Sequence, residues 1–109
     1  MISGIVPRPI AFVSTLSKEN IGNLAPYSYF GVVSHDPPLI SVSICTKGEQ
    51  VKKDTLVNIE DTNEFTVNII SDWFTESASH CSGLFEPSID EFDLSGLTRQ
   101  PSTKIKPPR

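Results

Sequence analysis

Ile10-Ala11-Phe12-Val13-Ser14-Thr15-Leu16 is the run on which the fold turns. Ile10, Phe12, Ser14 and Leu16 alternate with Ala11, Val13 and Thr15, and none of the seven carries a charge. That spacing predicts a β-strand with two partly buried faces. Working outward, Lys18-Glu19-Asn20-Ile21-Gly22-Asn23 reads as a turn in which Asn20 and Gly22 can take positive φ. A hairpin partner then runs from Asn23 toward Tyr29, and Pro26 confines it to an edge or a bulge because it lacks an N–H. Phe30 to Ser34 is another extended piece, and His35-Asp36-Pro37-Pro38 is a rigid turn. Leu39 to Cys45 sets Ile40, Val42 and Ile44 on one face against Ser41, Ser43 and Cys45 on the other. Glu64 to Ile70 alternates again, with Phe65, Val67 and Ile69 on one face.

Two short helices interrupt this pattern. Asp54 is positioned to N-cap a helix running to about Asp61, with Leu56, Val57, Ile59 and Glu60 forming a mixed face and Thr62-Asn63 ending it. Asp72 is positioned to cap a second, from Trp73 to about Cys81, ended near Gly83. Short strands at close spacing with turn signals between them predict a mainly β chain with short helices, built as a small barrel or sandwich.

The chain has 109 residues and a net charge of -4. This is enough for one small domain. The acidic balance offers no basic stripe, and the aromatics are not interleaved with Lys and Arg, which excludes a nucleic-acid module. No apolar run approaches the ~20 residues of a membrane span. Pro7, Arg8 and Pro9 interrupt the opening stretch, so it makes a poor signal peptide. Cys45 and Cys81 form no metal-ligand spacing. Each reads as a thiol in a core or lining a barrel, as expected of a reducing, cytoplasmic compartment.

Lys53-Asp54-Thr55-Leu56-Val57-Asn58-Ile59 carries the first chemical signal. A lysine, a hydroxyl and the outward N–H groups of a fresh helix can together seat a phosphate. Taken alone, the heptapeptide reads more readily as an ordinary surface helix with an exposed Lys52-Lys53 pair. Ser41 and Ser43 leave room for a flat ligand, or simply face solvent. Asn23, Ser28 and Tyr29 serve turns and core edges just as readily. Their combination is what suits a flat, phosphate-tailed ligand. His35 and His80 are the histidines; His80 and Cys81 are adjacent on a helix and therefore do not face inward together as a dyad. Trp73, Phe74 and Phe85 read as core or dimer-contact aromatics.

These segments carry a resemblance. Pro7-Arg8-Pro9-Ile10-Ala11-Phe12-Val13-Ser14-Thr15, Asn23-Leu24-Ala25-Pro26-Tyr27-Ser28-Tyr29-Phe30, Ser34-His35-Asp36-Pro37-Pro38-Leu39 and Lys53 to Ile59 look like the flavin reductase-like family with an FMN-binding split barrel. Glu64-Phe65-Thr66-Val67-Asn68-Ile69 and Glu91-Phe92-Asp93-Leu94-Ser95-Gly96-Leu97-Thr98 resemble its pattern too, in family order and with similar gaps. The resemblance implies a homodimeric split β-barrel with FMN at the dimer interface. It implies flavin contacts from Asn23, Ala25, Tyr27, Ser28 and Tyr29, and a phosphate held by Lys53, Asp54 and Thr55. Ser14, Thr15 and Ser43 are further cofactor-binding candidates. It implies hydride passed from NADH or NADPH to the flavin and electrons passed onward, with a flavin-accepting partner enzyme as one acceptor, and with no dedicated protein acid or base and no metal.

The resemblance also implies residues before the Pro-Arg-Pro motif and more chain after Pro107-Pro108. Residues 1–99 are then expected to be the N-terminal part of the split-barrel domain, incomplete at its C-terminus. The polar, proline-rich 100–109 stretch is expected to be a disordered tail or a connector. With the later strands absent, FMN is expected to bind weakly or not at all. The alternatives to an FMN-dependent reductase are a non-catalytic flavin-binding or interaction module, an inactive truncated relative, and a member acting directly on an organic substrate.

Overall fold

The computed structural model describes residues 3–83 and 88–109; Phe85 lies outside them. Five strands form as the alternation predicts: β1 (Ala11–Leu16), β2 (Gly22–Tyr27), β3 (Phe30–His35), β4 (Pro38–Val42) and β5 (Thr66–Ile69). They are joined by α1 (Asp54–Thr62), a 3-10 turn (Asp72–Phe74), α2 (Thr75–His80) and α3 (Glu91–Ser95).

β1 is central in an antiparallel sheet ordered β2-β1-β5, which explains why residues 11–15 are all buried. β2 is an edge strand, as Pro26 requires. The β1–β2 register pairs Thr15 with Asn23, Val13 with Ala25 and Ala11 with Tyr27, so these six share one face. Phe12 opposite Pro26 and Ser14 opposite Leu24 share the other. β3 and β4 form a separate hairpin with a bulge between Val32 and Ser34. Both sheets are open, and no barrel closes among the described residues.

The turn before β2 uses Asn20 at φ 60, as expected. Gly22 instead sits in the strand, and its lack of a side chain serves close approach. A Cβ there would lie 2.8 Å from Asp90 Oδ2.

Several boundaries differ from expectation. The N-cap of α1 is Lys53, whose carbonyl accepts from Val57 N at 3.1 Å, and Asp54 is the first helical residue. Asn63 closes that helix in the left-handed region, donating to Ile59 O at 2.7 Å. Its sheet-facing residues are Thr55 and Asn58, whereas Val57 points outward. Ser71, not Asp72, precedes the second helical segment, and that segment splits into a 3-10 turn and α2. β4 stops at Val42, leaving Ser43 just beyond it and bonded through its N–H to Tyr29 O at 2.8 Å. Trp73 is 80% exposed, so it is not a core residue; it packs edge-on against Phe74. Cys45 is exposed and Cys81 buried, both as free thiols.

α3 is not anticipated by the alternation. Asp90 caps it by accepting from Phe92 N at 2.9 Å, and Gly96 ends it at φ 71. The stretch 100–109, expected to be a disordered tail or a connector, bonds within itself and to β5. Gln100 and Arg109 exchange backbone bonds of 2.8 Å, Thr66 Oγ1 donates to Pro108 O at 2.9 Å, and Pro107 and Pro108 are buried.

Two apolar clusters hold the chain. Phe12, Leu24, Ala78, Cys81 and Phe92 join α2 and α3 to one face of the sheet. Ala11, Val13 and Tyr27 collect Phe30, Val42, Ile44, Phe65 and Val67 on the other.

Candidate functional site

The face of β1 and β2 that meets α1 is unusually polar for buried surface. Thr15 Oγ1 accepts from Asn58 Nδ2 at 3.1 Å, and Asn23 lies 2.6 Å from Thr55 Oγ1. These bonds seat the start of α1 against the β1–β2 ribbon. A buried amide or hydroxyl left without a partner costs about 1–3 kcal/mol, so this seam is specified in register as well as in position.

Beside the seam a cleft of about 70 Å³ is lined by Asn23, Ala25, Tyr27, Lys47, Lys53, Asp54, Thr55, Cys81 and Glu91, among others. Six of the residues singled out in the sequence therefore converge: Asn23, Ala25, Tyr27, Lys53, Asp54 and Thr55. Ser28 lies in a neighbouring groove that shares Pro26, Tyr27 and Ser82 with this cleft. Arg8 Nε reaches Ser28 Oγ at 3.4 Å, and its guanidinium lies 5.5 Å from the Tyr29 ring centre. Ser14, Thr15 and Ser43 do not line the cleft. Thr15 is committed to Asn58, and Ser14 Oγ is buried without a partner among the described residues, on the opposite face of β1. His35 and His80 are exposed and do not line it.

The charges are arranged asymmetrically. Lys47 Nζ sits 3.6 Å from Asp54. Lys53 Nζ stands 5.7 Å from the Tyr27 ring centre, and among the described residues no carboxylate lies within ion-pair distance of it. A lysine held over an aromatic face, with an ammonium uncommitted to a carboxylate, is a ready anion contact. Burial raises the Tyr27 phenol above its ordinary value, against the opposing effect of its bond to Thr55.

Glu91 was not singled out as a site residue, yet it is the most perturbed carboxyl lining the cleft. It is 5% exposed, and burial pushes its pKa up to about 7. Nearby Asp54 and Asp90 push the same way, while the Leu24 amide opposes them. The reason it sits there is the sheet edge. Outward N–H groups of β2 need acceptors: Asp90 takes Gly22 N at 3.0 Å, and the Leu24 amide lies near enough to Glu91 to favour its charged form. Pro26, the next outward position, has no N–H to satisfy. The edge is thus covered by two consecutive acids, one of them drawn into the cleft. Burial also pushes the Cys81 thiol up to about 11, so it stays protonated and unreactive.

A larger cavity, about 480 Å³, opens on the other face among Phe12, Leu24, Trp73, Phe74 and Leu97. Its walls are mainly apolar; Thr98 and Arg109 also line it, and Asn68 is already donating to Phe12 O at 3.1 Å. Among the described residues no cluster of metal-ligating side chains occurs, and no helix is long and apolar enough to cross a membrane.

The chain is similar to known proteins over nearly its whole length. A family model described as a flavin reductase like domain matches residues 3–109. An uncharacterized protein of Aquifex aeolicus is 42% identical over 105 residues, which cover 96% of this chain and 54% of that protein. The crystal structure of nitrilotriacetate monooxygenase component B from Bacillus cereus superposes with a TM-score of 0.90 at 39% identity, covering 96% of this chain and 52% of that one. Pseudomonas fluorescens 2-nitrobenzoate 2-nitroreductase does so with a TM-score of 0.83 at 37% identity, covering 96% and 49%. The chain spans about half the length of the relatives it matches. It belongs to the flavin reductase-like family and carries that family's split-barrel fold with its sheets open.

Proposed function

We propose that this chain supplies the phosphate-holding half of an FMN site in a flavin-dependent oxidoreductase. The observation that carries the reading is the convergence of Asn23, Ala25, Tyr27, Lys53, Asp54 and Thr55 on one cleft at the start of α1. The cleft suits a phosphate group and is too small to enclose a three-ring flavin. Lys53 supplies the cation, Thr55 a hydroxyl, and the first-turn amides of α1 a partial positive charge. Asn23, Ala25, Tyr27 and Ser28 then face the ring edge along the groove that Tyr27 shares with the cleft. Thr15, bonded to Asn58, and Ser43, bonded through its N–H to Tyr29, are left to structural roles.

When bound, FMN supplies the hydride chemistry, accepting from NADH or NADPH and reducing an acceptor. The protein's contribution is to bind, orient and desolvate. Nothing in this reading asks a side chain to act as acid or base. The name of the Bacillus cereus relative, a monooxygenase component, supports a chain that hands reduced flavin to a partner enzyme. The outward Val32, Val33, Leu39 and Ile40 of the β3–β4 hairpin support a homodimer or a further segment covering that surface. The free thiols Cys45 and Cys81 support a cytoplasmic setting.

The test is a visible spectrum of the protein after incubation with FMN and gel filtration, followed by an NADH oxidation assay with and without FMN. A retained flavin band with FMN-dependent oxidation supports the reading and overturns the weak binding expected of an incomplete barrel. A retained band without turnover favours a non-catalytic flavin-binding module. Loss of the band, with no FMN-dependent oxidation, overturns the reading for this chain.

A further inference from the structure

The carboxamide of Asn23 sits between two groups that demand opposite things of it. On one side is Thr55 Oγ1, at 2.6 Å. On the other are the carboxyl oxygens of Glu91, at 3.1 and 3.2 Å. When Glu91 is ionised it can only accept, so Asn23 must turn its NH2 toward it, and Asn23 Oδ1 then accepts from the Thr55 hydroxyl. When Glu91 is protonated its O–H can donate to Asn23 Oδ1. The amide then turns over, and Nδ2 donates to Thr55 Oγ1 at the same 2.6 Å. Both orientations fit the same heavy-atom positions, and neither requires the backbone to move.

The two states differ in one consequential proton. In the first, the Thr55 hydroxyl proton is spent inward on Asn23. In the second, Thr55 receives a bond from Asn23, and its proton is released to donate into the cleft. Thr55 is 1% exposed and lies in the seam beside Lys53, with the Tyr27 hydroxyl as its other bonding partner, so the released proton goes either to Tyr27 or to an anion seated in the cleft. We propose that Glu91 is a positioning residue for this cleft, setting the orientation of Asn23 and thereby whether Thr55 can donate to a bound phosphate. Anion binding would then be accompanied by proton uptake at Glu91. This rests on the FMN reading above for its ligand, but not for its switch.

The surroundings of Glu91 favour a group that changes state near neutrality. Asp54 and Lys53 face it from α1, Lys47 from the loop before α1, Tyr27 from β2 and Cys81 from the end of α2. Asp90, on its own side, has its negative charge partly met by Arg99. Burial and the two aspartates oppose ionisation, and the Leu24 amide supports it. A phosphate entering beside Lys53 adds negative charge to the cleft and shifts the balance further toward protonated Glu91.

Two measurements test this. In the ligand-free protein, the side-chain amide resonances of Asn23 and the carboxyl carbon of Glu91 are followed by NMR from pH 5 to 9. The expected result is a common midpoint, with the Asn23 titration lost in Glu91→Gln. Asn23 resonances that stay still while Glu91 titrates overturn the proposal. The second measurement is FMN affinity across the same range in the native protein and in Glu91→Gln, whose neutral amide removes the titration. Native affinity is expected to fall on the order of tenfold more than that of the variant between pH 6 and 8.5. The phosphate's own ionisation is common to both and cancels. Parallel pH profiles overturn the link to the ligand. If neither protein binds FMN at any pH, the FMN reading and the link fall together, while the NMR titration still decides the Asn23 switch.

Discussion

On one face of the β2-β1-β5 sheet Phe12 and Leu24 meet Ala78, Cys81 and Phe92; on the other Thr15 and Asn23 meet Asn58 and Thr55. The two faces are built on the same two strands, one residue apart. The first is ordinary core, whose apolar area is buried for stability. The second adds to an apolar cluster of similar size a seam of amides and hydroxyls, every one of which needs a partner, and it holds a buried carboxyl at its rim. Buried polar groups of that kind bring less net stability than apolar residues of equal volume, and they mark where a chain departs from local consistency for function. The larger cavity is on the apolar face and the chemistry is on the polar one.

The comparison breaks most visibly at the apolar face. Phe12→Ala is expected to cost about 3–5 kcal/mol in denaturant unfolding, because the α2–α3 packing cannot collapse into the space. A loss below about 1 kcal/mol would mean that this face is not the stabilising one.

The rim of the polar face has a pH signature. Glu91 has its folded pKa raised from 4.5 to about 7, so the folded state binds the extra proton. Its contribution is therefore most favourable below pH 4.5 and is lost as pH rises to about 7, after which it is level. The loss is about 3 kcal/mol at most. Glu91→Gln is expected to gain stability relative to the native protein between pH 5 and 8, seen as a widening difference in Tm. A constant difference across that range contradicts it.

Gly22→Ala probes the edge where the two faces meet. Its Cβ would press on the Asp90 carboxylate that accepts from Gly22 N and caps α3, and about 2 kcal/mol of stability should be lost. Lys53→Ala should leave unfolding nearly unchanged and weaken FMN binding about tenfold, the reverse of the Phe12 result. Trp73→Ala, at an exposed ring, should change stability by no more than about 0.5 kcal/mol.

How much of this was legible depended on range. The alternation of Ile10 to Leu16 and the missing N–H of Pro26 are local signals: they predicted a strand with two partly buried faces and an edge or bulge, and β1 is central with β2 at the edge. The convergence of the Asn23 and Lys53 segments was legible only through the family resemblance, since their separation in sequence carries no distance information. The cap of α1 fell on Lys53 because the chain enters the helix one residue early, with no side-chain bond to reward Asp54. α3 is too short for periodicity to register, although Asp90 and Gly96 were available as start and stop signals. Glu91 was hidden for a different reason. Its character comes from an edge amide of β2 and from burial against α1 and α2, none of which neighbours it in sequence. Thr55 and Asn58 read as polar positions of a surface helix, and only the opposing Thr15 and Asn23 reveal them as the buried side.

The central claim is that the polar seam at the start of α1 holds a phosphate. The most direct measurement compares the affinities of FMN and riboflavin for the native protein and for Thr55→Val, by flavin fluorescence titration at pH 6.5. The account predicts that the native protein prefers FMN over riboflavin by at least about tenfold, and that Thr55→Val removes most of that preference while riboflavin affinity stays level. Equal affinity for the two flavins in the native protein, or an FMN preference untouched by Thr55→Val, would contradict it.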